Sequence, residues 1–221
     1  MNILENAEEI KIGLFGLKGA GKKSIIDWYC QQKKDEKMNY ILFKLNDGKQ
    51  VKLFLSYESY DDDYSLLSNN LITNFYENII FVIDLTNTKS FDLVKKMIKV
   101  LKDNEEIFVK KCIFILINKF DLIKERQIEP KIVKSYADEN QIKSFLINTK
   151  TGYQMNIGLS YFVNLIHDKK IGKIKNANGN NKETEECEEG EEEETEEYEE
   201  YEVSEEIVKR EKYVKKFVCC W

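Results

Sequence analysis

Nine residues near the start of the chain, Gly16-Leu17-Lys18-Gly19-Ala20-Gly21-Lys22-Lys23-Ser24, have the spacing of a phosphate-binding loop. Such a loop reads G-x-x-x-x-G-K followed by Ser or Thr. Glycines let the backbone wrap an anion with its N–H groups turned inward, and the helix that follows presents its positive end to the same anion. Gly16, Gly19, Ala20, Gly21, Lys22, Lys23 and Ser24 are therefore the candidate phosphate-binding residues. The loop departs from the pattern at one place: Lys23 stands where a hydroxyl would hold Mg²⁺. Ser24 comes one residue later, about 100° around a helix, and points elsewhere. The alternative reading is a tight strand-to-helix turn that happens to carry Gly and Lys.

A second group lies a hundred residues on. Asn118-Lys119-Phe120-Asp121 follows the apolar run Ile113–Ile117. An Asp carboxylate in such a loop accepts both the N1–H and the exocyclic amine of guanine. Adenine has no such donor pair, so the loop selects guanine, and steeply, because an unpartnered buried polar group is costly. The lysine stem can lie along the base. Asn148-Thr149-Lys150, after another short apolar run, can close over the same base. Asn118, Lys119, Asp121, Asn148, Thr149 and Lys150 are the candidate guanine-binding residues.

These loops need a frame that brings them together. Apolar runs at 10–15, 40–45, 51–56, 79–83, 113–117 and 145–147 read as six strands. Asn46-Asp47-Gly48-Lys49 is a hairpin signal between the second and third, which makes that pair antiparallel. Helical patterns fall at 24–29, 90–102, 130–140 (opened by Pro130) and 157–170, and Asp61–Asp63 reads as the start of a helix to about Tyr76. Apolar strands alternating with amphipathic helices predict an α/β fold: a mostly parallel six-stranded sheet with one antiparallel edge strand and helices on both faces. Ligands in such sheets sit at the carboxyl ends of the strands, where both candidate groups fall.

The order of phosphate loop, hairpin, Asp84-Leu-Thr-Asn-Thr-Lys-Ser-Phe91, Asn-Lys-x-Asp and a terminal Cys219-Cys220 resembles the Ras superfamily of small GTPases, closest to its Rab group. The resemblance covers roughly residues 8–170 and the C-terminal tip. It implies the P-loop small-GTPase fold, GTP or GDP as ligand, guanine recognition by Asn118, Lys119 and Asp121, and contact of Lys22 with the β- and γ-phosphates. The family's Ser-Ala-Lys loop is represented by Asn148-Thr149-Lys150, which keeps only the lysine. It also implies effector and prenylation-escort partners and a role in vesicle transport.

The departures cluster on one side of the site. The family's Asp-Thr-Ala-Gly-Gln supports the metal, senses the γ-phosphate and orients water; here Ser56-Tyr57-Glu58-Ser59-Tyr60-Asp61 stands in its place. The family's first switch loop supplies a metal-binding Thr, and Gln31–Asn39 contains none. No metal ligand or catalytic residue is assigned, and Mg²⁺ binding is doubtful. Complete small GTPases hydrolyse GTP at only ~10⁻⁴ s⁻¹ unaided; this chain is expected to be slower still. Lys23 has two readings, an ammonium standing near the metal's usual place or a solvated helix-start residue. The competing functional reading is a pseudo-GTPase that binds partners without nucleotide. An ATP-using enzyme is disfavoured by Asn118-Lys119-Phe120-Asp121.

Charge divides the chain. Residues 183–221 hold seventeen Glu against five Lys or Arg, a net of −12, which leaves +6 on residues 1–182. The expected organisation is a G domain over 1–175, a disordered acidic linker over 176–206 and a basic tip over 207–221. No apolar run reaches 18 residues, and the acidic N-terminus lacks a signal-peptide pattern. The five cysteines have no disulfide-like spacing and suit a reducing compartment. Cys112, opening an apolar strand, is expected to pack, and His167 has no partner in view. Cys219 and Cys220 resemble the double-cysteine ends that Rab proteins geranylgeranylate, with Lys209, Arg210, Lys212, Lys215 and Lys216 favouring an anionic leaflet. The alternative is a pair of ordinary exposed thiols. The expected location is the cytoplasmic face of intracellular membranes with a cytosolic pool, and no nucleic-acid partner is expected.

Overall fold

The computed structural model describes residues 7–31, 40–60 and 76–172. The helix expected from Asp61 and the whole acidic and basic tail lie outside them.

The strands are β1 (Glu8–Leu17), β2 (Ile41–Lys44), β3 (Gln50–Tyr60), β4 (Asn78–Asp84), β5 (Cys112–Asn118) and β6 (Lys143–Leu146). They form one sheet in the order β2-β3-β1-β4-β5-β6. Every neighbouring pair is parallel except β2–β3. The hairpin between them turns at Gly48, and Asp47 Oδ1 accepts from the Lys49 N–H at 3.0 Å. The mixed sheet expected from the sequence is the one observed.

β4 and β5 are buried along their whole lengths, because helices cover both faces of the sheet. On one face α1 (Lys22–Cys30) and α5 (Met155–Lys170) send Ile25, Tyr29, Leu159, Phe162 and Val163 against Leu14, Ile80 and Phe114. On the other, α2 (Thr88–Lys102) and α4 (Pro130–Glu139) bury Leu93, Val94, Met97, Ile98 and Val133 against Phe81, Ile83 and Ile115. A short helix, α3 (Glu105–Lys110), which the sequence pattern did not suggest, joins α2 to β5. Asn side chains cap two of these helices: Asn87 accepts from the Lys89 N–H and Asn104 from the Ile107 N–H. Pro130 opens α4, where its missing N–H costs nothing. Cys112 is buried against the sheet, and burial pushes its thiol above the ordinary range.

One expectation is corrected at the amino end of the sheet. His167 is buried and does have partners: its Nδ1 lies 2.9 Å from Glu8 Oε2 and its Nε2 lies 3.4 Å from Asp47 Oδ2. Lys170 Nζ adds a 3.0 Å ion pair to the other Glu8 oxygen. The last turn of α5 is thereby fastened to the start of β1. Glu8 and Asp47 are 159 and 120 residues away along the chain, so sequence spacing gave no sign of it.

Candidate nucleotide site

The carboxyl ends of β1, β4, β5 and β6 converge on one edge of the sheet, and all but one of the loops singled out by sequence leave from there. The first joins β1 to α1. Gly16 passes so close to β4 that a Cβ on it would lie 2.5 Å from the Val82 carbonyl oxygen. Gly21 caps α1 in the left-handed region, with φ +97°, and no side chain occupies the cap. The first-turn N–H groups of a nine-residue helix therefore face the loop without a side-chain acceptor, the arrangement that receives phosphate.

Lys22 is buried, 3% exposed, beneath this loop. Its Nζ donates to the carbonyls of Gly16 at 2.8 Å and Leu17 at 2.7 Å. The loop is thus wound around its own cation. Burial pulls the ammonium down to about 8, because a charge with two carbonyl partners is still poorly solvated there. A bound phosphate would supply the anion that this cation lacks. Ala20 is buried, whereas Lys23 and Ser24 are exposed on the first turn of α1.

Asn118, the last residue of β5, connects this loop to the second one. It is 2% exposed, and its Nδ2 donates to the Ala20 carbonyl at 3.0 Å. Its Oδ1 is buried with no hydrogen-bond partner among the described residues. Such an orphan is costly and marks a place where a ligand donor is wanted. Gly21 is what allows the contact: a Cβ there would lie 2.2 Å from Asn118 Nδ2. Gly21→Ala is expected to force the amide away and to strain the left-handed backbone, destabilising the fold by ~1–3 kcal/mol. A thermal melt of the purified variant, lowered by several degrees, checks this.

Lys119 follows in the left-handed region, with φ +63°. This turns its side chain back across the sheet edge, where Nζ meets Asp84 Oδ2 at 2.6 Å. Asp84 ends β4 and is itself fixed, since its Oδ1 accepts from the Thr86 N–H at 2.9 Å and hydroxyl at 2.7 Å. The ion pair steers the lysine stem along the space between the loops. Asp121 is exposed, with its carboxylate open to donors. The third loop is organised by Asn148, a buried residue whose Oδ1 accepts from the N–H groups of Lys150 at 2.8 Å and Thr151 at 3.1 Å. That Asx-type turn does the structural work a serine could do, and it leaves Thr149 half-buried and Lys150 exposed. Phe120 and Tyr153 pack at 5.1 Å between ring centroids and hold the second and third loops together. Asp84, Phe120 and Tyr153 went unassigned in the sequence reading; the one usable signal was an acid at the carboxyl end of a fully apolar strand.

The residues fit a guanine nucleotide: a phosphate cradle with a buried cation, an orphaned amide oxygen, and a free carboxylate on adjacent loops. Lys23, an ammonium, cannot itself coordinate a divalent metal, and among the described residues there is no group of three or more His, Cys, Asp or Glu side chains that could hold one.

A sequence model for the Ras family matches residues 11–168. The chain belongs to the Ras family. Among its Ras-family relatives, Ras-related protein RabH of Dictyostelium discoideum is 26% identical, over 72% of this chain and 81% of RabH. Human Ras-related protein Rab-21 is 29% identical over 65% of this chain and 66% of its own length. RabJ of Dictyostelium discoideum is 30% identical over 63% of this chain and 56% of RabJ. The match begins within β1 and ends on α5, so it takes in all three loops of the site. Ras-family membership of the Rab type implies guanine-nucleotide binding and regulation of trafficking.

Proposed function

We propose that this protein binds GDP and GTP at the carboxyl edge of its sheet, with little or no hydrolysis, and acts in vesicle transport from a lipid-anchored position on the cytoplasmic face of an intracellular membrane. The observation that carries nucleotide binding is the Asn118 bridge, which couples the phosphate cradle to the guanine loop and leaves one amide oxygen wanting a donor. Gly16, Gly19, Ala20, Gly21, Lys22 and the first-turn N–H groups through Lys23 and Ser24 would cradle phosphate. Asn118, Lys119 and Asp121 would read the base, with Asn148, Thr149 and Lys150 over it. Slow hydrolysis is supported by the chemistry of Lys23 and by Ser56–Tyr60, which carries neither the family's metal-supporting Asp nor its water-orienting Gln. The Rab relatives support the trafficking role and effector partners.

Denaturing the purified protein is expected to release GDP or GTP, and fluorescent GDP is expected to bind saturably with the same affinity with or without Mg²⁺. No released nucleotide and no saturable binding would leave the pseudo-GTPase reading in its place. The anchor rests on Cys219 and Cys220, outside the described residues; among the described ones no helix is long and apolar enough to cross a membrane. Replacing both cysteines with Ser is expected to move the protein from the membrane fraction to the soluble one, and unchanged fractionation would refute lipidation there.

A further inference from the structure

β3 does not stop where its apolar pattern stops. The pattern ends at Ser56, yet the strand runs to Tyr60 and pairs with β1 residue by residue up to Leu17↔Tyr60. The ladder then enters the phosphate loop itself, where the Lys18 N–H donates to the Tyr60 carbonyl at 2.8 Å. Side chains hold the extension in place. The Tyr60 ring stacks on Phe15 with centroids 6.5 Å apart and planes 22° apart. Phe15 meets Tyr76 edge-on at 5.3 Å, and the Tyr76 hydroxyl accepts from Ser56 Oγ at 3.0 Å. The strand that borders the phosphate loop is therefore bound along its backbone on one side and by an aromatic cluster on the other.

We propose that this pairing makes the site indifferent to the third phosphate of its nucleotide, so that Tyr57–Tyr60 keeps one conformation with GDP and with GTP. The inference rests on the guanine-nucleotide reading above. A terminal phosphate can reshape a neighbouring segment only if the contacts it offers outweigh those that already hold the segment in place. Here the Lys18 N–H is spent on Tyr60, and Tyr57-Glu58-Ser59-Tyr60 contains no glycine to let the backbone turn toward an anion. Moving it would break the ladder and the Phe15 stack together. A ligand shifts a conformational equilibrium only by its differential affinity for the two states. Where di- and triphosphate find the same contacts, there is no shift. Tyr57, 43% exposed on this strand, would then offer partners the same surface in either nucleotide state.

The test uses the full-length protein, with GDP and a non-hydrolysable GTP analogue each titrated and each followed by amide hydrogen exchange. Dissociation constants within about threefold of each other, less than a 1 kcal/mol difference, and equal protection at 57–60 are expected. Tyr60→Ala should speed exchange at 57–60 about tenfold with either nucleotide, because the stack that closes the ladder is gone. Saturable GDP binding together with a tenfold preference for either nucleotide, or with protection at 57–60 lost only with the triphosphate, overturns the proposal and leaves the guanine-nucleotide reading standing. Unchanged exchange in Tyr60→Ala overturns the role given to the stack. Failure of both nucleotides to bind overturns the reading and the proposal together.

Discussion

Asp121→Asn is expected to weaken GDP binding by about 10³-fold while leaving the melting temperature of the ligand-free protein unchanged. The carboxylate can accept two hydrogen bonds from guanine, each charge-assisted and worth ~1.5–3 kcal/mol when it is made away from water. An amide accepts at its oxygen but presents N–H to the exocyclic amine, so one bond is lost and two donors are set against each other. The substitution also predicts a gain: xanthine carries a carbonyl where guanine carries that amine, and an amide matches it. Xanthosine diphosphate should therefore bind the variant better than GDP does. Because Asp121 is exposed and has no hydrogen bond or ion pair among the described residues, the two readouts separate cleanly. Equal GDP affinity in wild type and variant would mean that the base does not reach this loop.

Lys22→Met should cost about 10²–10³-fold in affinity for GDP, since it removes the one buried cation beneath the phosphates. Stability should change far less. The variant gives up two hydrogen bonds to Gly16 and Leu17, but also the burden of a buried ammonium, and the two effects oppose each other. A pH profile identifies the group. Its folded value of about 8 lies below the ordinary lysine range, so the unfolded chain binds more protons above pH 8, and the ligand-free protein gains stability as pH rises from there. Nucleotide affinity runs the other way. Phosphate favours the protonated amine, so GDP binding should be flat below pH 8 and fall above it. The Met variant should show neither slope. A wild-type affinity that stays level from pH 7 to 9 would place the phosphates away from Lys22.

Much of this was legible in the sequence because the signals were local. Continuous apolar runs fixed β4 and β5, Asp47-Gly48 fixed the hairpin, and the two short motifs stood in loops at the correct strand ends. β3 was misjudged by four residues because Tyr57-Glu58-Ser59-Tyr60 lacks alternation: its pairing is dictated by β1 beside it and by the Phe15 ring, neither of which a linear pattern displays. The Asn118–Ala20 bond spans 98 residues and the Lys119–Asp84 pair spans 35. Contacts of that range follow from topology, and no window along the chain reveals them. His167 was misread for the same reason.

The fastening at the amino end of the sheet has a mechanical consequence. α5 is followed by a turn ending in Gly172, and the last turn of that helix is tied by His167 and Lys170 to Glu8. A pull applied at Gly172 would be delivered to the start of β1. That strand is ten residues long, so the load enters ~30 Å from the phosphate loop at its other end. It is shared out among the β1–β3 and β1–β4 ladders before it gets there. A pull at this end of the sheet would reach the phosphate loop only after the whole length of β1 had resisted it.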